Sequence, residues 1–164
     1  MLRTRSWRLV SLLPLGLAVC LLGGTNTGPV TMSASISSKC TLSTATFGFG
    51  SYDTTSATDL TTSSGSVILS CTRGAPGVTI QLDNGLYSSH AVGTTRAMAN
   101  GTNYLSYDFY TDNGYGTVWN SVHTVTYTSI TMASTPISVY GKIPHQQDAA
   151  IGSYSDTVMA TVNY

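Results

Sequence analysis

The sequence predicts an all-β protein, and three observations lead to this fold class. Among its 164 residues there is no glutamate and there are only two lysines, whereas threonine, serine, valine, tyrosine and glycine are abundant. Such a composition favours strands and turns over helices. Apolar residues recur at a period of two in short segments, which turn-forming residues separate at intervals of roughly 8 to 15 residues. Two cysteines, Cys40 and Cys71, follow an N-terminal apolar run, as in exported domains that carry a disulfide.

The first element is a secretory signal peptide, predicted over residues 1–24. Three arginines precede an apolar run at 9–22, which Pro14 and Gly16 interrupt. This run is too short and too interrupted for a transmembrane span, and cleavage is expected near residues 24–28. Cys20 loosely imitates a lipoprotein signal, but the apolar run continues beyond it, so lipidation is the weaker interpretation.

What remains after cleavage is one domain of about 135 to 140 residues, enough for a single sandwich core. Loss of the three arginines leaves four basic residues against seven aspartates, a net charge of about −3. This balance argues against nucleic acid as a partner. Because export is predicted, a disulfide between Cys40 and Cys71 is the expected state, and metal binding by two lone cysteines is the weak alternative.

The alternating segments of the mature chain predict about seven strands and no helix. Residues 50–65 are rich in serine, threonine and aspartate and are expected to be a loop or a weak edge strand, and residues 87–101 are expected to be irregular. The pattern is typical of an immunoglobulin-like sandwich. In chain order the predicted strands fall within 40–49, 67–71, 78–82, 104–110, 118–131 (one or two strands), 136–143 and 155–164.

Two terminal segments bear on function. The last predicted strand places four residues on one face: Val158, Ala160, Val162 and Tyr164. A second alternating segment near the start of the mature chain contains Val30, Met32, Ala34 and Ile36. A sandwich with a last strand at its terminus and a spare strand at its start indicates polymerisation by strand addition. The alternative is an ordinary first strand at 30–36 that completes the sandwich within its own chain.

An ordered set of landmarks carries a family resemblance over about residues 30–164. The landmarks are Cys40, Phe47-Gly48-Phe49-Gly50-Ser51-Tyr52-Asp53, Cys71-Thr72, Leu82-Asp83-Asn84-Gly85, Arg96-Ala97-Met98, Tyr104-Leu105-Ser106-Tyr107, Tyr110-Thr111-Asp112, Val139-Tyr140-Gly141-Lys142-Ile143-Pro144, Gln147 and Gly152-Ser153-Tyr154-Ser155-Asp156-Thr157-Val158. In this order they make the chain resemble the spore coat protein U domain family, which includes subunits of archaic chaperone–usher pili. Where members of that family often have Trp-Gly, this chain has Trp119-Asn120.

The resemblance implies an incomplete immunoglobulin-like sandwich that a donor strand from a neighbouring subunit completes. A periplasmic chaperone, an outer-membrane usher and identical or related pilus subunits are the implied partners. The implied organisation is a signal peptide at 1–24, a donor segment at 25–37 and a pilin-like domain at 38–164. In this interpretation the donor residues are Val30, Met32, Ala34 and Ile36, and the residues bordering the acceptor groove and contacting the chaperone are Val158, Ala160, Val162 and Tyr164.

These features predict a structural subunit of a secreted fibre, assembled through the periplasm for surface adhesion or biofilm formation. The alternative is a spore or cell-surface coat protein that forms no fibres. No enzyme motif and no cofactor is predicted, because His90, His123 and His145 show no metal-ligand spacing. Asp108 and Asp112 are expected to cap turns. The tyrosines near 104–115 are expected to form an aromatic cluster, with sugar or surface binding as the lesser alternative.

Overall fold

The computed structural model describes residues 23–44 and 46–164. The predicted signal peptide and Cys20 therefore lie almost wholly outside the described residues. Residues 23–34 belong to a unit separate from residues 35–164, and they adopt no helix or strand. No helix in the described part of the chain is long and apolar enough to cross a membrane.

The described residues between 35 and 164 form eight strands and one short 3₁₀ turn, Ser88–His90. The all-β prediction is therefore confirmed. The strands are β1 Cys40–Thr44, β2 Leu60–Cys71, β3 Val78–Leu82, β4 Arg96–Asn100, β5 Asn103–Tyr110, β6 Val125–Tyr127, β7 Thr135–Ile143 and β8 Ala160–Asn163.

The strands form two antiparallel sheets that enclose one core. The larger sheet has the order β1-β2-β7-β5-β4, and the smaller has the order β6-β3-β8. The period-two patterns explain the packing: in β3, Val78, Ile80 and Leu82 are buried, whereas Thr79 and Gln81 are only half-buried. The buried cluster draws on both sheets and includes Val67, Leu69, Leu105, Tyr107, Phe109, Val139 and Ile143.

Two sequence expectations need correction, and one alternative is decided. Residues 60–65, expected to be a loop or a weak edge strand, form the first half of β2, since they pair with β7 from Leu60↔Ile143 onward, with a register shift between Thr62 and Gly65. Strand β4 lies in the segment expected to be irregular, where it forms a hairpin with β5. At the end of the chain only Ala160–Asn163 forms a strand, and Ser155 instead bridges to Ala99 of β4.

The predicted disulfide is present. Cys40 and Cys71 are direct cross-strand partners of β1 and β2, with Cα atoms 4.1 Å apart, and the bridge closes a loop across a sequence separation of 31. Strand β1 is at the edge of its sheet and pairs only with β2. The bridge therefore fixes the outermost strand of the larger sheet to its one neighbour.

Replacing both Cys40 and Cys71 by serine should destabilise the domain by about 3–4 kcal/mol, because the unfolded chain gains the freedom of an opened loop. Urea unfolding of the oxidised protein, the dithiothreitol-reduced protein and the double variant tests this. The reduced protein and the variant should share one lowered midpoint. Coincident midpoints for the oxidised and reduced proteins would contradict the expected stabilisation.

Candidate functional site

An open cleft enters the sandwich core. Its volume is about 980 Å³, and its lining is drawn mainly from residues 46–54 and 149–160 together with inward side chains of both sheets. The apolar lining side chains include Phe47, Phe49, Val67, Leu82, Met98, Leu105, Tyr107, Phe109, Val139, Ile143, Val158 and Ala160. A cleft of this kind exposes core surface that a complete sandwich would bury.

Strand β8 borders this cleft and presents a free edge. It pairs with β3 on one side, and no further strand pairs with it within the described residues. The Met159 carbonyl accepts a hydrogen bond from the Asp83 amide at 3.0 Å, so the backbone groups of Met159 point toward β3. Because these groups alternate in direction along a strand, those of Val158, Ala160 and Val162 point to the open side.

Only two of the four predicted acceptor residues line the cleft. Val158 and Ala160 line it. Val162 is half-buried and packs against the core cluster without lining the cleft, and Tyr164 is 55% exposed. The alternation predicted for this segment is therefore present from 158 to 162, and it ends before Tyr164.

The predicted donor residues are exposed apolar side chains. Val30, Met32 and Ile36 are 83%, 91% and 86% exposed, and Ala34 is also exposed. The described residues 23–39 contain no strand. Three large apolar side chains on one alternating face with this exposure are unusual unless another surface covers them.

The floor of the cleft is an aromatic cluster seated on two glycines. Phe47 packs edge-to-face on Phe49 and Phe109, with ring centroids 5.0 and 4.8 Å apart. A Cβ atom at Gly141 of β7 would lie 2.7–2.8 Å from the rings of Phe47 and Phe49, and one at Gly65 of β2 would also meet the Phe47 ring. Glycine at these inward positions thus makes room for the Phe47 ring.

Gly141→Ala should destabilise the domain by about 1–3 kcal/mol, because the added methyl group must displace aromatic rings from a packed floor. Gly48→Ala is the control, since a Cβ atom there meets nothing within 4 Å. The comparison requires urea unfolding of both variants beside the wild type. Equal stabilities of the two variants would mean that the close approach of the aromatic rings to Gly141 does not require a glycine there.

Behind the cleft, Arg96 of β4 is fully buried and joins several segments. Its Nε and Nη2 atoms donate to the Asp83 carbonyl at 2.9 and 2.6 Å, and Nη2 also donates to the Trp119 carbonyl at 2.6 Å. Its Nη1 lies 3.5 Å from Oδ1 of Asp108. Since Asp83 directly follows β3 and Arg96 begins β4, the Arg96 side chain connects the two sheets.

The expectation that Asp108 caps a turn is wrong. Asp108 lies in the middle of β5 and is 3% exposed, and both of its carboxylate oxygens accept from the Thr95 amide at 3.1 Å. Burial raises the pKa of Asp108, while hydrogen bonds from Thr95 and the charge of Arg96 act in the opposite direction. Asp112 does accept from the Gly114 amide at 2.8 Å, as a turn residue does.

A second polar group, Asp156, lies in the cleft wall. Its Oδ2 accepts from the Tyr107 hydroxyl at 2.7 Å, and its Oδ1 accepts from the amides of Leu86 and Thr157 at 2.9 and 2.8 Å. Burial, followed by the Asp156 carboxylate, raises the pKa of Tyr107, which keeps the phenol protonated as a donor.

The histidines are dispersed. His145 binds Asp59 at 2.6 Å through Nδ1, and this hydrogen bond is the main reason why the pKa of Asp59 is lowered. His90 stacks on Tyr104 with ring centroids 3.7 Å apart. Among the described residues, no three metal-ligating side chains converge. Tyr107 is buried in the aromatic cluster expected from the sequence, whereas Tyr104 is half-buried and stacks on His90 outside it.

The fold places the chain among immunoglobulin-like sandwiches, and the cleft opens beside strand β8. The chain belongs to the Spore Coat Protein U domain family, whose sequence model matches residues 26–161. "Protein U" of Myxococcus xanthus is 30% identical over 157 residues, which cover 85% of this chain and 86% of that protein.

A solved structure has a similar fold. It is the CsuC–CsuE chaperone–tip adhesion subunit pre-assembly complex from the archaic chaperone–usher Csu pili of Acinetobacter baumannii. The match has a TM-score of 0.56 at 20% identity and covers 79% of this chain. This chain spans 40% of the length of the chain it matches there. At this level of identity the likeness supports the sandwich architecture.

Proposed function

We propose that the protein is a structural subunit of a secreted chaperone–usher fibre that polymerises by donor-strand exchange. The observation that carries the proposal is an open apolar cleft beside a free strand edge, in a chain that also has an exposed alternating apolar segment. No strand of the described residues fills the cleft, and residues 30–36 have the alternation of a strand. Val30, Met32, Ala34 and Ile36 are the proposed donor residues, entering the cleft of a neighbouring copy.

Strand addition would pair the free backbone groups of the acceptor and would also cover its apolar cleft. The backbone groups of Val158, Ala160, Val162 and Tyr164 would gain ladder hydrogen bonds, each worth about 0.5–1.5 kcal/mol net. Burying each large donor side chain would contribute about 1.5–3 kcal/mol more. No chemical step is required, so the role is structural and not catalytic, and no cofactor is assigned.

An empty cleft is an aggregation hazard during export, because it combines apolar side chains with an unpaired edge. A periplasmic chaperone that covers the same edge, and an outer-membrane usher that exchanges it for the next subunit, are therefore the proposed assembly partners. We place the signal peptide at residues 1–24 and the mature fibre at the cell surface. Adhesion to surfaces or biofilm formation is the proposed role of that fibre.

The test is gel electrophoresis of the secreted protein under non-reducing conditions, with and without boiling. Strand-exchanged polymers should give a ladder of multiples that collapses to one band on boiling, because only non-covalent bonds hold the subunits together. A single monomer band in both lanes, from protein made without a chaperone, would overturn the fibre proposal.

That second outcome would favour the alternative, a spore or cell-surface coat protein that does not form fibres. One observation supports it: Ala99 and Ser155 exchange backbone hydrogen bonds of 2.9 and 3.0 Å, which protects the outer edge of β4. A chain that shields one edge could shield β8 as well, with its own residues 30–36 acting within the same molecule.

A further inference from the structure

We propose that Tyr107 and Asp156 are positioning residues of the strand acceptor, which hold the wall of the cleft in place before a donor strand enters. This inference rests on the proposed function, since it concerns the site at which the strand would be received. The two residues bond directly through the Tyr107 hydroxyl and Oδ2 of Asp156, at 2.7 Å. Both line the cleft.

The segment 155–159 crosses from one sheet to the other. At its start, Ser155 exchanges two backbone hydrogen bonds with Ala99 at the edge of the larger sheet. At its end, Met159 donates to Oδ1 of Asp83 at 2.9 Å and accepts from the Asp83 amide at 3.0 Å, at the end of β3 in the smaller sheet. The cleft wall between these two anchors contains Asp156.

The Asp156 carboxylate ties this crossing segment to two others and also bonds within its own segment. It accepts hydrogen bonds from Tyr107 in β5, from Leu86 in the turn after β3, and from Thr157 in its own segment. The fit is close: a Cβ atom at Gly85 would overlap the carboxylate, and Gly85 has a φ of +73°. The turn after β3 is therefore shaped to accept this side chain.

The position of this wall decides the shape of the acceptor. Val158 follows two residues after Asp156, and Ala160 begins β8. β8 has only four residues and is paired on one side, so its own ladder gives it little resistance to fraying. A wall that moved into the empty cleft would have to be displaced again before a strand could bind. Fixing it beforehand lowers the ordering cost of binding.

The test uses the full mature chain with Val30, Met32, Ala34 and Ile36 changed to serine, so that its own segment does not compete. A synthetic peptide of residues 25–37 is the probe, and its dissociation constant is measured by fluorescence anisotropy. Tyr107→Phe should raise the dissociation constant about tenfold, the scale expected for one hydrogen bond to a charged group. Amide exchange over residues 157–163 of the free protein should become faster.

The matched control is Tyr127→Phe. Tyr127 of β6 also makes one hydroxyl bond to the opposite sheet, at 3.0 Å to Thr135 of β7, but it does not line the cleft. This variant should leave the peptide affinity and the amide exchange over residues 157–163 close to the values of the parent protein, in which only the four donor residues are changed to serine. Asp156→Asn is the second test variant; it should weaken binding in the same direction, because a charge-assisted hydrogen bond becomes a neutral one.

The outcomes separate this inference from the proposed function. Equal dissociation constants for Tyr107→Phe and Tyr127→Phe, or unchanged exchange over 157–163 in Tyr107→Phe, would overturn the positioning role even if thermal stability falls. Failure of the parent protein to bind the peptide would overturn the proposed function instead. The amide exchange measurement needs no peptide. If the peptide fails to bind, exchange therefore still decides whether the hydrogen bond between Tyr107 and Asp156 holds the cleft wall in place.

Discussion

We expect that replacing Val30, Met32, Ala34 and Ile36 together by serine abolishes the heat-dissociable multimers. The three large side chains are exposed in the described structure, and each would contribute about 1.5–3 kcal/mol on entering an apolar cleft. Losing most of that energy lowers the association constant by more than about a thousandfold. The measurement is the unboiled gel ladder, supported by electron microscopy of the secreted material.

The matched control changes the other face of the same segment. Thr31, Ser33 and Ser35 alternate with the donor residues, so replacing all three by alanine keeps the apolar face and the length. This variant should still form the ladder. Fibres formed by the serine variant would show that the donor assignment is wrong, and loss of the ladder in both variants would show that the two faces of the segment are not distinguished.

Segments with strong alternation were predictable from the sequence. Strands β3, β5 and β7 lie within one residue of the expected positions, because each carries apolar residues that face one core at a period of two. The disulfide followed from the predicted export of a chain with two mature cysteines, and the structure contains it. In these cases the local pattern and the packed structure impose the same requirement.

Strand β4 and the first half of β2 were not predictable from local pattern. The β4 sequence has no β-branched residue and begins with a charged one, so it pairs only because β5 supplies a partner through a tight hairpin. Residues 60–65 are mostly hydroxyl-bearing and form a strand through pairing with β7. Both elements depend on residues that lie elsewhere in the chain.

The cleft, too, was only partly predictable from the sequence. Alternation at 158–162 predicted which side chains face the core, but not that Tyr164 would be exposed or that the strand would begin at Ala160. Asp156 and Arg96 were missed because their partners are distant in sequence. One available signal was Gly141, a glycine on the apolar face of β7, which often marks close approach by a bulky group. Another was Arg96 itself, a rare cation in a chain of few charges.

Arg96→Ala should destabilise the folded domain by about 3–5 kcal/mol, the usual cost of removing one partner of a buried ion pair. The substitution leaves the carbonyls of Asp83 and Trp119 without this donor, and it leaves Asp108 buried without its counter-charge. Arg73→Ala is the control, since Arg73 is an exposed turn residue. Urea unfolding should place the Arg73 variant close to the wild type, and equal losses in both variants would contradict the cross-sheet role of Arg96.

The difference in stability between the wild type and Arg96→Ala should depend on pH. Burial raises the pKa of Asp108 in the folded state. The folded state therefore loses stability as the pH rises from the unfolded-state pKa of this group through its folded-state pKa, and it regains that stability as Asp108 binds a proton. Arg96 opposes this shift, and removing it raises the folded-state pKa of Asp108 further. The stability deficit of Arg96→Ala should therefore be largest at pH 7 and should shrink toward pH 4, as Asp108 binds a proton. Urea midpoints of wild type and variant at both pH values measure this change, and a deficit that stays constant would show that Asp108 does not set it.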